Sequence, residues 1–362
     1  MRLPLPPRPR PLACALLLGL APALSAPSLR AQSRDAGESR RSLDLGVNGV
    51  GLSIGDSRRW RGVRLNLRDS RLERVEGVNL TVLAPRGRRD GEFGGGDITG
   101  LALGVPVTGG REVRGLQLAI GGVGASGDVV GIGVNGLGVG AGGTIGGVQV
   151  AGLGLGAGRD VRGLAIGGLG LGAGGDVRGI AIGGLGSGVG GSARGILIGG
   201  LGSAVGGDAR GAIIGGLGAG VGRDAHGIFV GGLGVGAGGD LVGIAIGGLG
   251  AGVGGTARGL LIGGLGAGAP TVRGIAIGGL GAGAAEVRGI LAAGVMTRLA
   301  KDGMLRGAAV APVNWLPGRQ HGLAIGVVNY ARSLRGVQLG LVNIVRDNPS
   351  ARRVLPVINW GR

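Results

Sequence analysis

The residues of this 362-residue chain best suited to chemistry are charged pairs that recur at a fixed spacing. Asp160-Val161-Arg162, Asp176-Val177-Arg178 and Asp208-Ala209-Arg210 each precede a glycine. Glu112-Val113-Arg114, Glu286-Val287-Arg288, Thr256-Ala257-Arg258 and Asp224-Ala225-His226 are variants. A carboxylate beside a guanidinium can move a proton or hold an ion, but an active site is normally unique along a chain. A pair repeated this often reads as a solvated turn edge, with ion pairs worth about 0–1 kcal/mol each. Arginines near the N-terminus that read as unpaired are the better candidates for a polyanion: Arg58, Arg59, Arg61, Arg86, Arg88 and Arg89. His226 and His321, the two histidines, lie far apart and show no metal-ligand spacing, and no Ser/His/Asp set suggests itself. Strings matching GxGxxG are expected by chance among 95 glycines, and no Gly-Lys-Ser/Thr follows them. Gly-Gly-Asp strings lack the density of a calcium-binding β-roll. The sequence therefore predicts no catalytic residue, no metal ligand, no cofactor and no specific nucleic-acid binding.

The elements that carry these pairs are set by one period. Glycines at 115, 131, 147, 163, 179, 195, 211, 227, 243 and 259 stand 16 residues apart. Less regular anchors at 46, 62, 77 and 100 precede them, and 274, 289, 307, 322 and 336 follow. A period this short means one small unit stacked many times. Val63-Arg64-Leu65-Asn66-Leu67-Arg68 and Val78-Asn79-Leu80-Thr81-Val82 alternate apolar and polar, the pattern of a half-buried strand. In Leu164-Ala165-Ile166 and Leu169-Gly170-Leu171-Gly172 the same reading puts Leu and Ile, Ile166 among them, inside, with Ala or Gly outside. Helix is disfavoured, because each interior Gly costs about 0.8–1 kcal/mol relative to Ala. Gly167-Gly168 and Gly174-Gly175-Asp176 read as turns. The expected fold is an all-β, narrow parallel β-solenoid of about 19 coils, 14–16 residues each, roughly 90 Å long at the 4.8 Å strand spacing. An antiparallel β-meander and an outer-membrane β-barrel are the alternatives. The barrel suffers from aromatics at only 2%, too few for interfacial girdles.

Composition narrows the class. Collagen is excluded because glycine does not fall at every third position. Disorder is disfavoured by aliphatic residues alternating with glycine and a mean hydropathy of +0.40. The formal charge is +18, almost all from arginine. Residues 1–31 read as a signal peptide: Arg2, Arg8 and Arg10 precede the short apolar stretch Leu12 to Leu24, with cleavage after Ser25 or near Ala31. Cys14, the single cysteine, lies within it, so the remainder has no disulfide or thiolate site. Residues 32–45 are expected to be a flexible linker, 46–344 the repeats with a basic loop insertion at 84–94, and 345–362 a C-terminal cap.

Asn314, Asn329 and Asn343 each follow their anchor by seven residues, the offset of Gly170 from Gly163, which predicts a turn position with stacked amides. Trp315, Tyr330 and Trp360 are expected to cap the end of the rod. Gly322-Leu323-Ala324-Ile325-Gly326-Val327-Val328-Asn329-Tyr330 and Gly336-Val337-Gln338-Leu339-Gly340-Leu341-Val342-Asn343 resemble the short repeats of a family of bacterial exported surface-repeat proteins, first described as leptospiral surface repeats. The resemblance is specific over about 307–360 and looser over 46–300. It implies a cell-surface, outer-membrane or periplasmic location in a Gram-negative-type bacterium, and it implies no catalytic activity. The expected function is that of an exported, non-enzymatic structural or interaction protein of the cell envelope. The partner is unknown, with envelope polysaccharide or another polyanion as a candidate and membrane association open.

Overall fold

The computed structural model describes residues 42–70, 72–83 and 95–361. The expected signal peptide, the linker up to residue 41 and the basic insertion at 84–94 lie outside the described residues. Strand Ser42–Val47 begins within the span expected to be linker.

The chain winds as a parallel β-solenoid. A strand such as Val161–Gly167 pairs in register with Ile145–Ala151 on one side and Val177–Gly183 on the other. The shorter strand of the same coil, Gly170–Ala173, pairs with Gly154–Ala157 and Gly186–Val189. Parallel stacking of consecutive coils rules out both the meander and the barrel as the fold. Antiparallel pairing occurs only at the two ends of the described stack, between Ser42–Val47 and Val50–Gly55 and between Val328–Val345 and Val354–Gly361.

The recurring glycine explains the winding. Nineteen glycines from Gly51 to Gly336 share one column with positive φ, 109° at Gly163. From Gly62 onward, a Cβ on any of them would lie 1.9–2.4 Å from a carbonyl oxygen of the preceding glycine in the column. Only glycine meets both demands, so the column fixes the period. The stack has about 17 turns, slightly fewer than the anchors suggested. Gly46 belongs to the antiparallel hairpin opposite Gly51, and Gly51 takes its expected place at the head of the column.

The faces are inverted relative to expectation along the Leu164–Gly167 run. Ala165 and Gly167 point inward, whereas Leu164 and Ile166 are only partly covered and Leu169 is 49% exposed. Leu171 faces inward as expected, and Ala173 does so beside it. The early coils are inverted as well: Arg64, Asn66, Asn79 and Thr81 are buried, and Val63 and Leu67 are exposed. Alternation fixes which residues share a face but not which face is inside. The positive-φ glycine decides it, because Arg162, Gly163 and Leu164 turn the corner without pointing inward and Ala165 is the next to do so. The interior left is thin. A Cβ at Gly167 would lie 2.1 Å from the Gly170 carbonyl oxygen. In some coils the two inward columns trade volume, Leu197 going with Ser203 and Ala165 with Leu171, whereas Phe229 goes with Val235 and Ala245 with Ala251.

Candidate interaction surfaces

The Asp/Arg corners form the ladders their spacing suggests, and the acidic one is bonded into the fold. Each carboxylate accepts the backbone N–H at the same place one coil on: Asp160 Oδ1 from Asp176 at 3.0 Å, Asp176 Oδ1 from Ser192 at 2.9 Å, and Asp240 Oδ1 from Thr256 at 2.7 Å. The Asp160 carboxyl is held below its ordinary value, first by that backbone hydrogen bond and then by Arg162. The arginines pair at the surface, as in Arg162–Asp160 at 2.7 Å and Arg258–Asp240 at 3.2 Å, with arginine side chains about half exposed. Such pairs contribute little, and the corner is a structural edge.

The N-terminal arginines singled out from the sequence divide in two. Arg86, Arg88 and Arg89 lie outside the described residues. Arg58 and Arg59 both reach Glu73 at 2.6 Å, and Arg61 reaches Glu76 at 2.9 Å. All three gain an acidic partner by stacking, since the next coil brings a residue 14–15 positions away alongside. Partial burial works to raise the Glu73 carboxyl, but the hydrogen bond from Arg59 and the charges of Arg58 and Arg59 outweigh it and hold it below its usual value.

Sequence reasoning missed the buried Arg64. Its guanidinium donates to Asp69, to Asp56 at 3.1 Å, to Asn79 Oδ1 at 2.8 Å and to Ser57 Oγ at 3.1 Å. Thr81 Oγ1 completes the cluster by donating to Asp69 at 2.8 Å. Two acids neutralise and orient one interior arginine, leaving it closed to solvent and to ligand.

At the other end, Asn314, Asn329 and Asn343 are interior rather than at turns. Asn314 Nδ2 donates to Asn329 Oδ1, and Asn329 Nδ2 to Asn343 Oδ1, each at 2.7 Å. The expected stacked amides are thus present, in the column occupied by Ala267 and Ala282 in earlier coils. Trp315 and Tyr330 stack at 4.4 Å on the side wall instead of closing the end. They continue the outward column of Gly252, Gly268 and Gly283. Trp360 belongs to the last strand and is exposed. Arg306, His321 and Arg335 form an in-register column near Arg319. The His321 imidazole is held below its ordinary value, first by burial and then by Arg335, Arg306 and Arg319. Among the described residues, no three His, Cys, Asp or Glu side chains are placed to share a metal ion.

The largest surface feature is aliphatic. The first and third residues after each column glycine, such as Leu164 and Ile166 after Gly163, are Leu, Ile or Val throughout except at Ala212, Ala292 and Ala308, and none is buried. Beside them, ten leucines from Leu137 to Leu280 stack at the next corner, each about half exposed. The shorter strands present glycine outward, and at Gly156, Gly172 and Gly188 a Cβ would meet nothing within 4 Å. The coil thus shows solvent a charged edge, an aliphatic face and a bare glycine face. Comparison with protein-family models, with curated proteins and with solved structures finds no match.

Proposed function

We propose that this chain is an exported, non-enzymatic structural or interaction protein of the bacterial cell envelope, akin to the surface-repeat proteins that its 307–360 repeats resemble. The observation that carries the reading is the aliphatic face, in register from Leu52 to Leu339. Soluble monomers rarely expose contiguous apolar patches beyond a few hundred Å2. A rod repeating one apolar face along its length is suited to lateral contact. The basic start and short apolar stretch of residues 1–31 support export. The test is fractionation of the source bacterium with protease shaving of intact cells. Recovery in the envelope with residues 1–31 removed is expected; a cytosolic chain retaining them would overturn the reading.

A second reading, polyanion binding, is favoured by the Arg306–His321–Arg335 column with Arg319. None of these arginines forms an ion pair among the described residues. The Arg306→Ser/Arg319→Ser/Arg335→Ser variant is expected to elute from heparin at lower salt, and Arg58→Ser/Arg59→Ser/Arg61→Ser to elute as the parent does. Unchanged elution of the first variant would remove this reading.

A further inference from the structure

We infer that the aliphatic face binds the same face of a second copy of this chain, so that two solenoids lie side by side along their length. The inference rests on the structural reading above and names its partner.

Area is the first argument. Eighteen steps of about 4.8 Å between the column glycines give a length of roughly 85 Å, and the four-residue run spanning Leu164 to Gly167 is about 13 Å wide. The footprint is on the order of 1,000 Å2, above the roughly 800 Å2 per partner of a stable protein–protein interface. The leucine corner from Leu137 to Leu280 widens it.

Repeat matching is the second. Side chains on this face are, apart from Ala212, Ala292 and Ala308, β-branched or γ-branched aliphatics at one fixed rise, and a second copy carries the same rise. Every coil can therefore meet its counterpart in the same way, with side chains interdigitating as they do between paired identical sheets. A partner of another repeat would fall out of step within a few coils.

Charge is the third, and along the middle coils it disfavours a lipid surface. Interfacial binding to anionic bilayers couples an apolar face to a strongly cationic one. Along the middle of the face, residues 112–288, the chain has ten arginines and eight acids, a net of +2, and the further excess of the +11 carried over 52–339 sits towards the two ends. The Asp ladder moreover runs along the same edge as the Arg ladder. Edges of mixed sign suit a like neighbour better than an anionic headgroup layer.

Sedimentation velocity on the full chain over a concentration series is the test. The parent is expected to sediment as a dimer. Ile180→Lys/Ile196→Lys/Ile228→Lys is expected to halve that mass. Gly156→Ser/Gly172→Ser/Gly188→Ser, on the bare face where a side chain meets nothing, is expected to leave it unchanged. Cross-linking guards against a variant that fails to fold. In a Cys14→Ser background, Ile196→Cys is expected to give an oxidised dimer and Gly172→Cys is not. Ile196 lies at the middle of the face, so parallel and antiparallel partners both bring the two copies of this position together. A parent that is monomeric at every concentration overturns the inference, as does a monomer floating with phosphatidylcholine–phosphatidylglycerol vesicles, or a dimer lost through the glycine-face substitutions alone. A monomeric rod found in the envelope sinks the dimer and spares the functional reading, whereas a dimer in the cytosol does the reverse.

Discussion

At the scale of single residues, the fold rests on side chains that composition made look unimportant. Arg64 is one of 38 basic residues in the sequence, yet it is fully buried between Asp56 and Asp69. Removing one partner of a buried ion pair costs about 3–5 kcal/mol, because the other charge stays behind uncompensated. Arg64→Ala is expected to cost that much, read as lost amide-exchange protection over Val75–Thr81. Asn135 shows the opposite case. It is buried with neither amide atom partnered, between Ala119 and Ala151 in the same column. An unsatisfied buried group costs about 1–3 kcal/mol, so Asn135→Ala is expected to raise the melting temperature. Glycines likewise differ by place. Gly163→Ala puts a Cβ 2.2 Å from the Gly147 carbonyl oxygen at positive φ, whereas Gly172→Ala fills open space. Thermal unfolding should show a large loss for the first and almost none for the second. The column glycines were legible because their period is strict. The burial of Arg64 was not, because an alternating strand reads the same with either face inward.

At the scale of the strand and its neighbours, stability comes from contacts one coil apart. Gln149 Nε2 donates to Gln117 Oε1 at 2.7 Å across two coils, over Gly133, whose absent side chain leaves the space. The Asn314–Asn329–Asn343 chain does the same work near the C-terminus. Asn329→Leu breaks two of its bonds and strands the Oδ1 of Asn343, while Asn314 Nδ2 keeps the carbonyls of Ala311 and Ile325. Exchange protection is expected to fall in the neighbouring coils and not around residue 163. The acidic corner predicts a pH response. Because the folded Asp160 value lies below its unfolded one, its contribution is present above the ordinary aspartate value of 3.8 and lost as pH falls through the folded value. Protection of the Asp176 amide should therefore decline on acidification below about 3.8, and Asp160→Asn should remove that decline. The amide stacking was readable from the sevenfold offset, whereas its interior position was not. C-terminal coils are shorter than the 16-residue ones, so equal counts from the glycine reach different columns.

At the scale of the whole molecule, the solenoid class was readable from period and glycine content, because few folds accept a turn every eight residues or so. The outward aliphatic face was not. Ordinary hydrophobic reasoning sends Leu and Ile inward, and here the closure of each coil overrides it. Small-angle scattering on residues 42–361 is expected to give an elongated body near 85 Å long, by the same strand spacing; a compact sphere would contradict the stacked architecture. Every rung in the middle of the rod meets the next through the same carbonyl and the same glycine, and most also through the same carboxylate, with Ser192 in its place in one coil. Sixteen codons therefore encode an interchangeable module. Slipped replication or recombination between such near-identical gene segments would remove or add a whole storey and leave both neighbouring junctions intact. Height is thus the property of this protein most open to variation between strains, and a shortened version lacking residues 164–179 should still close.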